Sequence, residues 1–186
     1  MKIITHQDFL DTYTNDPAAS PGRLEAILAA LGDTYAIEEA TIAGWDDIEA
    51  VHTRRHIDSV DRQGVYKIAA LAAGAAIEAA VMAMKEPAFA LVRPPGHHAS
   101  SDSSWGFCYF NNMAIALDHL KRAGLINTAY VLDFDLHYGD GNVSILRPKG
   151  YAAIHNPDAE HRITYLDSVE RNLKEEIGRA SCRDRV

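Results

Sequence analysis

Apolar positions spaced three and four residues apart predict three helices in the first two thirds of the chain. Residues 24–31 carry an apolar stripe that ends at Gly32. Residues 66–84 are rich in alanine and apolar on nearly every face, which is typical of a helix packed against a sheet, and Pro87 ends the segment. A further amphipathic helix is predicted at residues 111–123.

Short, unbroken apolar runs lie between and after these helices. Residues 88–92 and 129–132 are typical of central parallel strands, and residues 151–154 predict a further strand. Residues 1–22 are rich in turn formers and predict strand and loop, while residues 38–47 predict a connector. Strands that alternate with helices indicate an α/β fold with a mostly parallel sheet, in which ligands gather at the carboxyl ends of the strands.

Acidic side chains and a histidine crowd the end of the strand predicted at residues 129–132. On an extended backbone, the period of two places Asp133, Asp135 and His137 on one face, where they could bind a divalent metal. The glycines in the same segment let the chain turn tightly and let other groups approach its backbone. The alternative is a polar junction between strand and loop with solvated acids. The segment reads DFDLHYGDG at residues 133–141.

A stiff turn with two adjacent histidines follows the other predicted central strand. It reads RPPGHHA at residues 93–99. On an extended backbone His97 and His98 would point in different directions, so they need not share a role. Histidine suits general acid–base chemistry near neutral pH, and Asp133 and Asp140 offer carboxylates to orient the rings. The alternative is a proline-rich turn with solvated histidines.

Two further groups of residues are ambiguous from the sequence. His52 and His56 have the spacing of a metal-binding pair on a helix. Two arginines separate them and no third ligand is evident, so we favour a structural role. Tyr109 and Phe110 belong to an aromatic segment at residues 105–110 that could wall a narrow slot, but we favour core packing for both.

Composition and charge argue against some functional classes of protein. A chain of 186 residues is most simply one domain with a sizeable core, and the formal net charge of −8 argues against a general nucleic-acid or membrane-surface binder. The apolar stretch at 68–84 is shorter than the roughly 20 residues of a membrane span. The amino terminus lacks the pattern of a signal peptide, and two cysteines give no disulfide framework, so we expect a cytoplasmic protein.

The last segment of the chain differs from the rest. Residues 176–186 lose the apolar periodicity and gain arginines, and they resemble the translation of a sequencing-library adapter. We therefore predict one domain at residues 1–175, followed by a non-native tail at residues 176–186.

The motifs in this order and at this spacing resemble the histone deacetylase family, which includes acetylpolyamine amidohydrolases and acetoin-utilisation proteins. The resemblance covers about residues 1–174 and implies a three-layer α/β/α fold of the arginase/deacetylase type, truncated after its first half. The sequences that carry it are RPPGHHA at 93–99, GFC at 106–108, FNN at 110–112 and the acidic segment at 133–141.

The resemblance also implies roles for particular residues. Asp135 and His137 would be two of three zinc ligands, His98 the general base that activates the attacking water, and His97 mainly an electrostatic partner. The implied substrate is an acetylated lysine peptide or an acetylated amine. Asp133 and Asp140 would hydrogen-bond His97 and His98 respectively, and Asp133 would also belong to a potassium site. Gly106 and Phe107 would line the acyl-lysine channel.

Some features of the family pattern are missing from this sequence. The third zinc ligand, an aspartate, and the tyrosine that stabilises the oxyanion belong to later motifs that do not occur here. Asp158, Tyr165 and Asp167 lack the matching context, so we assign them no role. Ala153 replaces a hydroxyl residue that helps to bind potassium.

Three interpretations are therefore open. The first is a zinc-dependent deacetylase. The second is a truncated, inactive fragment of such an enzyme, because two ligands hold zinc less firmly than three. The third is an arginase-like ureohydrolase with two manganese ions, which the paired histidines and the GFC sequence disfavour. The exact substrate and the oligomeric state cannot be derived from the residues.

Overall fold

The computed structural model describes residues 1–157 and 162–183. Within these ranges the strands are β1 (Lys2–Thr5), β2 (Ala36–Glu39), β3 (Ala88–Ala90), β4 (Ala129–Leu132) and β5 (Ala152–His155). The helices are α1 (Arg23–Leu31), α2 (Trp45–Glu49), α3 (Arg54–Arg62), α4 (Tyr66–Ala83), α5 (Asn112–Arg122), α6 (Asp140–Lys149) and α7 (Arg162–Arg183).

The described strands form two parallel sheets. In one, β1 lies between β2 and β3, so that Ile3 is opposite Ile37 on one side and Phe89 on the other. In the other, β4 pairs with β5, and Leu132 is opposite His155. Every described strand pair is parallel, which confirms the predicted α/β class.

Helix α4 is the centre of the hydrophobic core. It packs against α5, β1 and β3, and its alanine faces contribute to two separate buried clusters, one around Phe110 and one around Phe9. This explains why the helix is apolar nearly all round. By length and composition it could span a membrane, but half of it is buried inside the protein, as in a core helix. Gly74 is required here, because a Cβ would lie 1.9 Å from the carbonyl oxygen of Thr41.

The predicted elements agree with the structure where the apolar signal was strong. The helices predicted at residues 66–84 and 111–123 and the strand at 129–132 are present with nearly the same bounds. The connector predicted at residues 38–47 was wrong, because the end of β2 and the start of α2 lie there. All four residues of β2 are exposed at the edge of the sheet, so this strand has no buried face to produce an apolar pattern.

Helix α6 was also missed, although it positions part of the site. It begins at Asp140, within the acidic segment, and contains Pro148, so the sequence pattern did not indicate a helix. At the end of the chain, α7 runs without a break through residue 176 to Arg183. Backbone conformation therefore does not mark the predicted boundary between residues 1–175 and the tail, which stays a prediction.

Candidate active site

The turn after β3 and the acidic segment after β4 lie against each other. The backbone N–H of Asn142 donates to the carbonyl oxygen of His97 at 3.2 Å. Gly141 permits this approach, because a Cβ there would lie 2.6 Å from the same oxygen. At Gly139 a Cβ would lie 2.0 Å from Oδ2 of Asp133. The expected role of these glycines, a close approach to the backbone, is confirmed.

His98, which is buried, forms a pair with the half-exposed Asp140. Its Nδ1 lies 2.7 Å from Oδ1 of Asp140, and its side chain is 4% exposed. Because a carboxylate can only accept, Nδ1 of His98 is the donor in this hydrogen bond. The backbone N–H of His98 donates to Sγ of Cys108 at 3.4 Å, and burial raises the pKa of that thiol to about 12. The hydrogen bond to Asp140 thus fixes the orientation of the imidazole ring of His98.

His97 forms a second pair, with Asp133. The distance from Nδ1 of His97 to Oδ2 of Asp133 is 3.1 Å, and the amide of Asn142 donates to the same oxygen at 2.9 Å. The hydrogen bond to Asp133 raises the pKa of His97, although burial opposes the shift. Nε2 of His97 lies 3.9 Å from Oδ1 of Asp135. His97 therefore tends to carry positive charge between two carboxylates, whereas His98 has one acidic partner.

The two histidine rings lie side by side. Their centroids are 3.9 Å apart and the ring planes are tilted by 41°. The expectation that the rings would point in different directions was wrong, because residues 97–98 lie in a turn instead of on an extended backbone. The difference between the two histidines comes instead from their partners and their burial.

The side chains of Asp135 and His137 lie together and are exposed to solvent. The backbone bends at residues 135–137, so the expectation of an extended chain with three side chains on one face was wrong. The bend is closed by a hydrogen bond from the N–H of His137 to Oδ1 of Asp135 at 2.8 Å. This bond and the contact with the His137 ring lower the pKa of Asp135 despite the opposing effect of burial. Asp133 points away to His97.

The geometry of Asp135 and His137 fits two ligands of one metal ion. Oδ1 of Asp135 and Nδ1 of His137 are 3.1 Å apart. Two ligands bound tetrahedrally to zinc at about 2.0–2.2 Å lie about 3.3–3.6 Å from each other, slightly farther apart than these two atoms. Over residues 1–157 and 162–183, no group of three histidine, cysteine, aspartate or glutamate side chains could hold a metal ion. The described residues therefore bring together two candidate metal ligands, and their role as zinc ligands stays a prediction.

The residues to which we assigned no role from the sequence lie outside the cluster of histidines and aspartates. Tyr165 donates its hydroxyl hydrogen to the carbonyl oxygen of Phe134 at 2.6 Å, and Asp167 lines a shallow surface pocket. Asp158 lies outside the described residues. His155 ends β5, with its Nε2 3.5 Å from the hydroxyl of Ser168. The potassium site at Asp133 stays a prediction.

Gly106 and Phe107 border the site on the side of His98. A Cβ on Gly106 would lie 2.4 Å from Cδ2 of His98, so glycine is needed for the ring to sit there. Phe107 has a positive φ of 69°, a conformation that is strained for a bulky side chain, and its ring is half-exposed. Both residues line a cavity of about 640 Å³. The lining of this cavity does not include His97, His98, Asp135 or His137, so the channel-wall role of the two residues stays a prediction.

A second cavity, of about 700 Å³, reaches the other side of the site. Its lining includes His97, Asp133 and Asp135 at one end. The rest of the lining is mainly apolar and comes from α4, β3, α5 and β4. The strand-end cluster is thus flanked by apolar space as well as by the aromatic segment.

His52 and His56 have structural roles, as favoured from the sequence. Nδ1 of His52 lies 3.0 Å from the carbonyl oxygen of Ser100, and its Nε2 accepts the backbone N–H of Asn111 at 2.9 Å. Nε2 of His56 lies 2.7 Å from the carbonyl oxygen of Tyr109. The pair therefore ties α3 and the turn before it to the loop at residues 99–111. Phe110 is fully buried and Tyr109 packs against the same cluster, which confirms both core assignments.

Sequence reasoning missed three residues that shape the site. Asn142 holds Asp133 and the backbone of His97, and Oδ1 of Asn156 accepts the N–H of Gly139 at 2.8 Å. Trp105 stacks on His98. Asn142 lies one residue beyond the acidic segment, which is the one local signal that could have drawn attention to it. The contacts of Trp105 and Asn156 depend on the tertiary fold, so the sequence pattern could not predict them.

These features define a class: an α/β protein in which two histidine–aspartate pairs lie beside a candidate metal-binding pair at the ends of parallel strands. The Histone deacetylase domain matches residues 17–172 of this chain. The chain therefore belongs to the histone deacetylase family.

Individual relatives agree with this assignment. A "Probable deacetylase" of Methanothermobacter thermautotrophicus is 36% identical over 177 residues, covering 82% of this chain and 54% of that protein. The acetylpolyamine amidohydrolase of Mycoplana ramosa is 37% identical over 116 residues, covering 60% of this chain and 34% of the relative. The crystal structure of the HDA15 HD domain superimposes with a TM-score of 0.75 at 26% identity, covering 83% of this chain and 52% of that one. The chain thus spans about half the length of the archaeal relative and of the HDA15 chain.

Proposed function

We propose that this chain contributes the first part of the active site of a zinc-dependent deacetylase, which hydrolyses the acetyl amide of an acetylated lysine or an acetylated polyamine. The observation that carries the proposal is the pairing of His98 with Asp140 next to the Asp135–His137 pair. Relatives named as deacetylases and as an acetylpolyamine amidohydrolase support the reaction class.

Asp135 and His137 are the residues that would hold the zinc ion. A bound zinc ion would polarise the acetyl carbonyl and favour ionisation of a water molecule at neutral pH. A carboxylate and an imidazole are both ordinary zinc ligands, and their exposure leaves room for a further ligand and for the substrate.

His98 has the properties of the general base. Asp140 fixes the proton on Nδ1, so Nε2 can take a proton from the attacking water and later return it to the leaving amine. His97 is held by Asp133 with a raised pKa, so its charge can stabilise negative charge that develops nearby. Gly106 and Phe107 would border the acyl chain, because Gly106 lies against the ring of His98 and Phe107 is the next residue along the chain.

The second candidate is an inactive fragment of the same enzyme. It is favoured by the described residues themselves, which bring together two metal ligands and not three. The two candidates differ in the polypeptide that should be active. We define the extended chain as residues 1–175 of this sequence continued to the full length of its relatives.

Acetate release from an acetyl-lysine peptide and from an acetylpolyamine tests the proposal. We expect the extended chain to release acetate from at least one of them and the 186-residue chain to release none above background. Turnover by the 186-residue chain would contradict the fragment interpretation. Failure of the extended chain on every acetylated amine tried, with zinc bound, would contradict the proposed reaction.

A further inference from the structure

Trp105 closes a triangle of side chains with His98 and Asp140. Its indole ring stacks on the imidazole of His98, with centroids 3.7 Å apart and planes tilted by 27°. Its Nε1–H donates to Oδ2 of Asp140 at 2.9 Å, while Oδ1 of the same carboxylate accepts the hydrogen bond from Nδ1 of His98. Each of the three side chains therefore contacts the other two.

This triangle fixes groups that would otherwise move. The side chain of Asp140 is about half-exposed, and a carboxylate with both oxygens engaged cannot rotate without losing a hydrogen bond. The stack fixes the plane of the imidazole, and the backbone of Gly106 limits the edge that carries Cδ2. A histidine that transfers protons must keep its ring within a narrow range of orientations.

Burial does not explain the position of Trp105. The residue is 55% exposed, so removal of its ring from water contributes less than for a core tryptophan. An exposed indole N–H can bond to water equally well, yet this one points inward to the partner of His98. The contacts with the pair are what orient the side chain.

We propose that Trp105 is a positioning residue for proton transfer by His98: its N–H anchors Asp140 and its ring holds the imidazole plane. The role rests on the proposed function, in which His98 is the general base. Trp105 acts through His98 and Asp140, so its loss should lower kcat and leave KM nearly unchanged.

The kinetic test uses the extended chain. Trp105→Phe keeps an aromatic ring and loses the donor, so kcat should fall about tenfold, and Trp105→Ala should lower it about a hundredfold. Trp45→Phe is the matched control, because Trp45 lies outside the site and bonds to Glu49. In an Asp140→Ala background, Trp105→Phe should change kcat by less than about twofold, because the acceptor is already gone.

A spectroscopic test uses the 186-residue chain and needs no turnover. The chain has two tryptophans, so a spectrum of the indole N–H groups has two signals, and Trp45→Phe assigns them. Asp140→Ala should shift the signal of Trp105 and leave that of Trp45 in place. An unchanged Trp105 signal would overturn the proposal.

The outcomes separate the two claims. An active extended chain in which Trp105→Phe and Asp140→Ala multiply their effects overturns the positioning role alone. An extended chain without deacetylation overturns the proposed function and the positioning role together. A lowered kcat, an unchanged KM and a loss of the Trp105 effect in the Asp140→Ala background support both.

Discussion

Gly106 and His98 are in such close contact that no side chain fits between them: a Cβ on Gly106 would lie 2.4 Å from Cδ2 of the imidazole. The contact ties the aromatic segment to the proposed general base. It also makes Gly106 a residue whose replacement acts on catalysis directly.

Replacement of Gly106 by alanine should therefore displace the ring of His98. We expect Gly106→Ala to lower kcat of the extended chain about a hundredfold or more, because a displacement of about 1 Å has an effect of this size on proton transfer. Gly124→Ala is the matched control. Gly124 also has a positive φ, of 70°, but nothing lies within 4 Å of its Cβ position, so the backbone strain is similar and the site is untouched. Equal losses in the two variants would show that strain, and not the contact with His98, is responsible.

His98 and His137 should differ in their effect on the metal. His98→Ala removes the proposed base and should lower turnover by about 10²- to 10⁴-fold while zinc is retained, because Asp140 and not a metal occupies its Nδ1. His137→Ala should lose both turnover and zinc. Zinc content after dialysis and kcat, measured on the same preparations of the extended chain, check this. Loss of zinc from His98→Ala would mean that His98 is a ligand.

The sequence predicted the parts of this protein that follow from local pattern. Helices α4 and α5 and strand β4 carry strong apolar runs, and all three were placed nearly correctly. Strand β2 is exposed along its whole length and α6 contains a proline, so neither has the pattern of its element. The two elements that the sequence did not predict, β2 and α6, are stabilised by contacts with neighbouring elements.

In the candidate site, too, some features could be predicted from the sequence and others could not. The resemblance to the deacetylase family paired His97 with Asp133 and His98 with Asp140, and the structure has both hydrogen bonds. The sequence could not show that the backbone bends after Asp133, because period-two reasoning assumes an extended chain. It could not find Trp105 either, whose contacts join segments 35 residues apart.

The buried His52 should make stability depend on pH. Burial lowers the pKa of His52 from the ordinary 6.5 to about 3, with a further contribution from His56. Between these values the unfolded chain binds a proton that the folded chain does not, so the free energy of unfolding falls as the pH is lowered. The slope approaches about 1.4 kcal/mol per pH unit.

Urea unfolding of the 186-residue chain between pH 4.5 and pH 6.5, a window of about two units inside the two pKa values, measures this slope. The variant His52→Gln lacks the titrating ring, so its free energy of unfolding should depend less steeply on pH, although it is lower throughout. Parallel curves for the two proteins would contradict the account of His52 as a neutral, buried structural residue.

Metal analysis of the extended chain tests the central claim most directly, because the claim is that Asp135 and His137 are two ligands of one zinc ion. Elemental analysis of the purified protein should find one zinc per chain, and Asp135→Ala should lose it while Asp133→Asn keeps it. Two manganese ions per chain and no zinc would contradict the account and favour a ureohydrolase of the arginase type.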